Sequence, residues 1–298
     1  MSASSPSPSL APAQARTQPG WDAHVHVFEA GAPVRAGHYQ PVHRPLAEIE
    51  ASAAAHGIGH LVLVQPSVYG SDHAVLLRAL EGAAGRHRGI AVVEPSVDEA
   101  ELDRLAAAGV RGIRFNLVSP AGHAGDPAAS LRALAPRMRA RGWHVQWYVA
   151  PHWLPALARW QRETGLVFVL DHLAGLGTGV PGTPGALVPG APSDGPGPGP
   201  DDPAWAAARD LADQGAWLKL SGWYRLGAAA PYDALHPAIV RLAGWFGPRL
   251  VWGSDWPHTS FAPDALPGYG SLLQPVRAAL GEAALQQILE DNPQRLYG

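Results

Sequence analysis

His24 and His26 stand two residues apart in the run WDAHVHVF at 21–28, and Asp22 lies two residues before them. In an extended strand residues i and i+2 share a face, so all three are expected to point one way. Imidazoles near neutral pH serve as general acids or bases, as hydrogen-bond donors, and as nitrogen ligands for a divalent ion. Two in register on one strand each need a polar partner if that face is dry, which favours a site over a packed core histidine. Three other segments supply such partners. Leu170-Asp171-His172 ends one apolar run, Gly253-Ser254-Asp255-Trp256-Pro257-His258 ends another, and Arg114 and Asn116 lie two apart in a third. A carboxylate such as Asp255 beside imidazoles can take a proton from water, while imidazole or guanidinium donors steady the charge on an attacked carbonyl. Imidazoles and carboxylates gathered in this way also offer nitrogen and oxygen donors for one Zn²⁺ with room for water. Taken singly, each has a plainer reading: Asp255 can cap the turn that follows it, and Arg114 can sit in a structural ion pair.

These residues need a scaffold that brings distant strand ends together. Apolar runs recur at 21–28, 60–65, 89–94, 110–117, 144–149, 165–172, 216–222 and 249–256. Between them lie segments of helical composition at 72–86, 98–108, 128–140, 153–163, 203–214 and 234–246. Eight strands alternating with helices in a chain of 298 residues predict a single-domain α/β fold, a (β/α)8 TIM-type barrel over 21–298. In such a barrel the polar strand ends meet at one rim, where its active sites lie. A doubly wound open sheet is the second reading, but it would need a glycine-rich phosphate loop after an early strand, and GxGxxG is absent there.

Composition narrows the function further. Hydrophobic residues make up 47% and charged residues 16%, so the chain can bury a large core and is not disordered as a whole. The net charge of -3 offers no field for nucleic acid or anionic lipid, which leaves a small molecule as the expected partner and oligomeric state open. No cysteine is present, which removes disulfides, thiolate metal sites and catalytic thiols. No apolar run reaches membrane-spanning length. Residues 1–20 lack a basic start and an apolar centre, so they read as a disordered tail and the protein as cytoplasmic. The segment 175–203 holds 17 Gly and Pro in 29 residues and reads as a long insertion, a lid or a disordered loop, beside His172. The single lysine, Lys219, falls on the seventh strand; none falls on the fourth or fifth, which excludes a lysine-bridged pair of metals.

Several segments together resemble a known family. DAHVHVF at 22–28, QPSVYGSD at 65–72, RGIRFN at 111–116, GWHVQWY at 142–148, VLDHLAG at 169–175, LKLSGWYR at 218–225, VWGSDWPH at 251–258 and the closing NPQRLYG resemble the amidohydrolase superfamily. More closely they resemble its lactonase branch, which acts on 2-pyrone-4,6-dicarboxylate and sugar lactones. The resemblance implies an amidohydrolase-like barrel with His24, His26, His172 and Asp255 at the catalytic centre. It also implies Ser67, Arg114, Asn116, Tyr148 and Arg225, with His258, against the substrate. Trp223 and Trp256 are candidates for a flat aromatic wall. The implied reaction is hydrolysis of a lactone by Asp-activated water, without a required cofactor; a mononuclear Zn²⁺ on the four catalytic side chains is the metal-bearing form. A Zn²⁺-dependent decarboxylase of an aromatic or unsaturated acid is the alternative, and a catalytically dead binding barrel a more distant one. Two departures from the dicarboxylate pattern, Ser119 to His123 after RGIRFN and Ala174-Gly175-Leu176 after His172, leave fewer cations in the pocket. They point to a lactone with one carboxylate, or an aldonolactone, among the substrates.

Overall fold

The structure is a computed structural model describing residues 19–35, 40–119, 122–177, 199, 201–259, 261–262 and 264–298. Residues 1–18 of the expected tail 1–20 and most of the Gly/Pro-rich insertion 175–203 lie outside the described residues, while Gly20 already begins the first strand. Eight strands alternate with helices: β1 (Gly20–Val25), α1 (Leu46–Ala54), β2 (Ile58–Val64), α2 (Ala74–Gly82), β3 (Arg88–Ala91), α3 (Glu99–Ala107), β4 (Val110–Asn116) and α4 (Pro127–Ala140). The second half runs β5 (His144–Tyr148), α5 (Leu154–Thr164), β6 (Phe168–Leu170), α6 (Pro203–Asp213), β7 (Trp217–Leu220), α7 (His236–Phe246) and β8 (Leu250–Trp252). Three helices then close the chain: α8 (Gln274–Leu280), α9 (Glu282–Leu289) and α10 (Asp291–Tyr297). Helix starts follow local chemistry. The side chains of Asp98, Asp126 and Asp202 accept backbone N–H groups at the N-termini of α3, α4 and α6, and proline follows the last two.

All neighbouring strands pair in parallel in the order β1 to β8. The sheet closes where Val25 bridges Trp256, with Asp255 N donating to His24 O at 2.9 Å and His26 N donating to Trp256 O at 2.8 Å. The (β/α)8 barrel expected from the sequence is the fold observed. Alternation along β4 and β5 shows how the site is presented. Ile113, Phe115, Val145 and Trp147 join the large core between sheet and helices, while Arg114 pairs with Gln146 and Asn116 with Tyr148 on the inner face. Trp21, Ala23, Val62, Val64, Ile90, Val251 and Tyr297 form a second, smaller cluster. The barrel interior thus divides into an apolar part and a polar part that ends at the strand C-termini.

One expectation fails locally. Asp22 does not share a face with His24 and His26, because the β1–β2 register shifts between Asp22 and Val25. Its carboxylate instead accepts the backbone N–H groups of His24 and Ser254 and the hydroxyl of Tyr269 at 2.8 Å, tying β1 to the end of β8. No helix among the described residues is long and apolar enough to cross a membrane.

Candidate active site

His24 and His26 leave β1 with their Nε2 atoms 3.3 Å apart. Both face Asp255 Oδ1, at 3.7 Å each, and His172 Nε2 faces the same oxygen at 4.0 Å. All four side chains are buried. Asp255 Oδ1 has no hydrogen-bond partner among the described residues, whereas Oδ2 accepts the Tyr224 hydroxyl at 2.6 Å and Arg225 Nε at 2.5 Å. The Asp255 carboxylate therefore has one oxygen that is held and one that is free, ringed by three imidazoles.

Local backbone geometry aims these groups. Asp255 has a φ of 61°, and His172, Leu173 and Ala174 follow β6 with φ of 50°, 52° and 57°, all in the left-handed region that L-residues usually avoid. His172 is fixed from its other nitrogen, with Nδ1 2.9 Å from Ser221 Oγ. Gly222 makes room for it: its φ is 60°, and a Cβ there would collide with His172 Nδ1. Gly253 serves His24 likewise, since a Cβ would come within 2.5 Å of His24 Cβ. His26 Nδ1 lies 2.7 Å from Val64 O. A carbonyl only accepts, so that nitrogen carries a proton, and a neutral His26 presents a bare Nε2 toward His24.

Beneath this centre lies a buried ionic layer. Lys219 Nζ donates to Gln146 Oε1 at 2.6 Å and to Ala23 O at 2.8 Å, and lies 3.5 Å from Asp171 Oδ1. Asp171 Oδ2 accepts Gln146 Nε2 at 3.0 Å and Arg114 Nε at 3.1 Å, and Oδ1 lies 3.4 Å from His24 Nδ1. The structural ion pair considered for Arg114 exists, and Arg114 also lines the pocket. Burial alone would raise the Asp255 carboxyl, but Arg225 and then His172 outweigh it and hold it well below the usual carboxylate range. Asp171 is held low in the same way, burial being overcome by Lys219 and His24. Burial draws His172 down to about 4 and Lys219 down to about 8, against the opposing pull of Asp255 and Asp171 respectively.

The pocket above the centre has about 50 Å³ of water-sized space. Among its lining residues are His26, His172 and Asp255, together with the expected Ser67, Arg114, Asn116, Tyr148 and Arg225. Asn116 Nδ2 donates to Ser67 Oγ at 2.8 Å, and the guanidinium carbons of Arg114 and Arg225 lie 5.3 and 5.9 Å from the Tyr148 ring centre. His24 lies deeper, under His26 and His172. Two expectations need correcting, and a third residue takes a different place. Trp223 is fully buried, donates its indole N–H to Leu272 O at 2.9 Å, and forms no wall of the pocket. Trp256 is buried in the core and does not line the pocket either. His258 lines an adjacent cavity rather than this one. Ser119, Thr259, Tyr224 and Gln146 were not foreseen. Lys219 carried a signal, being the sole lysine and sitting on a strand, and Asp171 carried another as the neighbour of His172.

The donor set fits a single divalent ion. Two ligands of a tetrahedral Zn²⁺ with bonds of roughly 2.0 Å lie about 3.3 Å apart, the His24–His26 separation is 3.3 Å, and His24, His172 and Asp255 offer donors within 4.8 Å of one another.

Fold and site together define a (β/α)8 hydrolase with a histidine–aspartate centre at the C-terminal rim of its strands. Comparison with known proteins makes this specific: residues 21–298 match the amidohydrolase family, and the chain belongs to it. A 2-pyrone-4,6-dicarboxylate hydrolase of Comamonas testosteroni is 32% identical over 93% of this chain and 89% of its own length. A 4-sulfomuconolactone hydrolase of Rhizobium radiobacter is 30% identical over the same shares of the two chains, 93% and 89%. Among solved structures, a Pseudomonas putida protein assigned as a 2-pyrone-4,6-dicarboxylic acid hydrolase superposes with a TM-score of 0.78 at 32% identity, over 94% of this chain and 97% of its own.

Proposed function

We propose that the protein hydrolyses a lactone that carries a carboxylate, with Asp255 as the general base and no required metal ion. The observation that carries this reading is Asp255 Oδ1, buried, without a hydrogen-bond partner among the described residues, and facing three imidazole nitrogens at 3.7 to 4.0 Å. A water held there loses its proton to Oδ1 as its oxygen attacks the lactone carbonyl. The negative charge moves to the carbonyl oxygen, where imidazole and guanidinium N–H groups receive it. Collapse breaks the ring C–O bond, and Asp255 returns the proton to the departing alkoxide or enolate oxygen. His24, His26 and His172 orient water and carbonyl, while Arg225 and Tyr224 keep Asp255 ionised and aimed.

Charge supports the substrate class. The pocket wall and the layer beneath it together carry three cations, Arg114, Arg225 and Lys219, against two carboxylates, Asp171 and Asp255. That excess of one positive charge suits a single substrate carboxylate, which guanidinium binds well. It also opposes a dication placed beside them, the basis for reading the reaction as metal-independent. A divalent ion held by His24, His26, His172 and Asp255 would supply carbonyl polarisation and a more acidic water. Relatives that act on lactones support ring opening over decarboxylation. On this reading the enzyme is cytoplasmic and catabolic, acting on small lactones or organic acids and not on nucleic acid or membranes.

The test is acid release at fixed pH from a panel holding 2-pyrone-4,6-dicarboxylate, a monocarboxylate lactone and an aldonolactone, with and without chelator. Turnover of a carboxylated lactone, insensitive to chelation, is the expected result. Carbon dioxide release from an unsaturated acid with no lactone opened would replace the reaction. Loss of activity on chelation, alongside stoichiometric Zn²⁺ in the fresh protein, would replace the metal-free mechanism.

A further inference from the structure

A second cavity, of about 110 Å³, adjoins the catalytic pocket and shares Thr259 with it. Its walls come from the connections after β1 and β8: Phe28, Pro41, Val42, Pro257, Phe261 and Leu266 supply apolar surface. Phe28 packs against Tyr69 with ring centres 6.1 Å apart, and Phe261 meets Tyr224 edge-on at 4.8 Å, so both aromatic walls are held from behind. The polar side chains of this cavity are Gln40, Arg44, His258 and Thr259. Arg44 is paired with Glu48 at 2.6 Å. His258 lines the cavity with a buried Nδ1 that has no hydrogen-bond partner among the described residues. The two guanidinium groups assigned to the substrate carboxylate, Arg114 and Arg225, line only the first pocket.

We infer that this cavity is a specificity subsite for a planar aromatic substituent on the lactone. The inference deepens the lactone reading and rests on it for the identity of the reacting group. The substrate spans both spaces: its carboxylate and ring ester lie with Arg114, Arg225 and Asp255, and its aromatic substituent passes Thr259 to lie between Phe28 and Phe261. Burial of a flat apolar group against such walls is favourable and directional. His258 Nδ1 adds a place for one polar atom on that substituent.

The test compares kcat/KM for 5-oxotetrahydrofuran-3-carboxylate and its 2-phenyl derivative in the wild type and in two cavity-filling variants, Leu266→Trp and Val42→Trp. The wild type is expected to prefer the phenyl compound at least tenfold, and each variant to cut that ratio tenfold or more. A ratio near one, or a preference that both variants keep, would overturn the subsite. Calorimetric titration with 3-phenylpropanoate and with propanoate separates this from the reaction itself. If no lactone is opened, tighter binding of 3-phenylpropanoate that Leu266→Trp abolishes upholds the subsite while the lactone reading falls. Equal binding of the two acids overturns the subsite.

Discussion

Asp255 divides its work between its two oxygens, and that division sets what a substitution there should do. Oδ2 is committed to Tyr224 and Arg225, and Oδ1 is left free among the imidazoles. Asp255→Asn keeps the shape but removes the proposed base, so kcat should fall about 10³-fold, within the usual range for general-base catalysis. It also leaves the buried Arg225 without its counter-charge, a loss of about 3 kcal/mol of stability. Circular dichroism should still report a barrel, with a lower melting temperature. Activity within tenfold of the wild type would remove Asp255 from the role of base. This residue and the three histidines were legible in the sequence because each closes or begins a strand beside apolar runs. The layer beneath them was not. Lys219 meets Ala23 across 196 residues and Gln146 across 73, and no local pattern announces such pairings.

The turn at 172–174, just after β6, is the longest left-handed run of non-glycine residues among the described residues. Three successive non-glycine residues, His172, Leu173 and Ala174, hold left-handed φ values, each at a cost of about 1–2 kcal/mol. The turn is retained by Ala174 N donating to Asp171 O at 2.9 Å and by the His172–Ser221 contact. Gly222, at the end of β7, is the matching concession, since any side chain there meets the His172 ring. Gly222→Ala should therefore displace His172, lowering kcat/KM by about 10²-fold, while its positive φ adds a stability loss of about 1 kcal/mol. A variant that retains full activity would show that His172 tolerates displacement. Helices α2 to α7 were all readable as segments of helical composition between the apolar runs, whereas α1 was not. The register shift in β1 was not readable, because it depends on how β2 and β8 seat against that strand. Nor were α8 to α10: α9 packs on β8 and β1, α10 on β8, and α8 between α7 and α9, contacts that only the folded chain brings together.

At the scale of the whole barrel, burial of ionisable groups couples stability to pH. His144, on the inner face of β5 against the Tyr297 ring, is drawn down to about 3 by burial and then by Lys219. Its folded value lies below the unfolded value near 6.5, so the unfolded chain binds more protons between the two. Stability is therefore full above about 6.5 and is lost as pH falls toward 3, by up to about 1.4 kcal/mol per pH unit from this group. Melting temperatures across that window should fall less steeply for His144→Gln than for the wild type. Parallel curves would show that His144 does not titrate with unfolding. The eight-strand count and the position of the rim were legible because alternation of apolar runs and helices is a global property of the chain. The charge layering inside the barrel was not, since it arises only on closure. Lys219, the chain's one lysine, is wholly enclosed in that layer. Arginine is thus the permanent cation on the outer surface, and reagents or enzymes that modify primary amines find no side-chain target until the barrel opens.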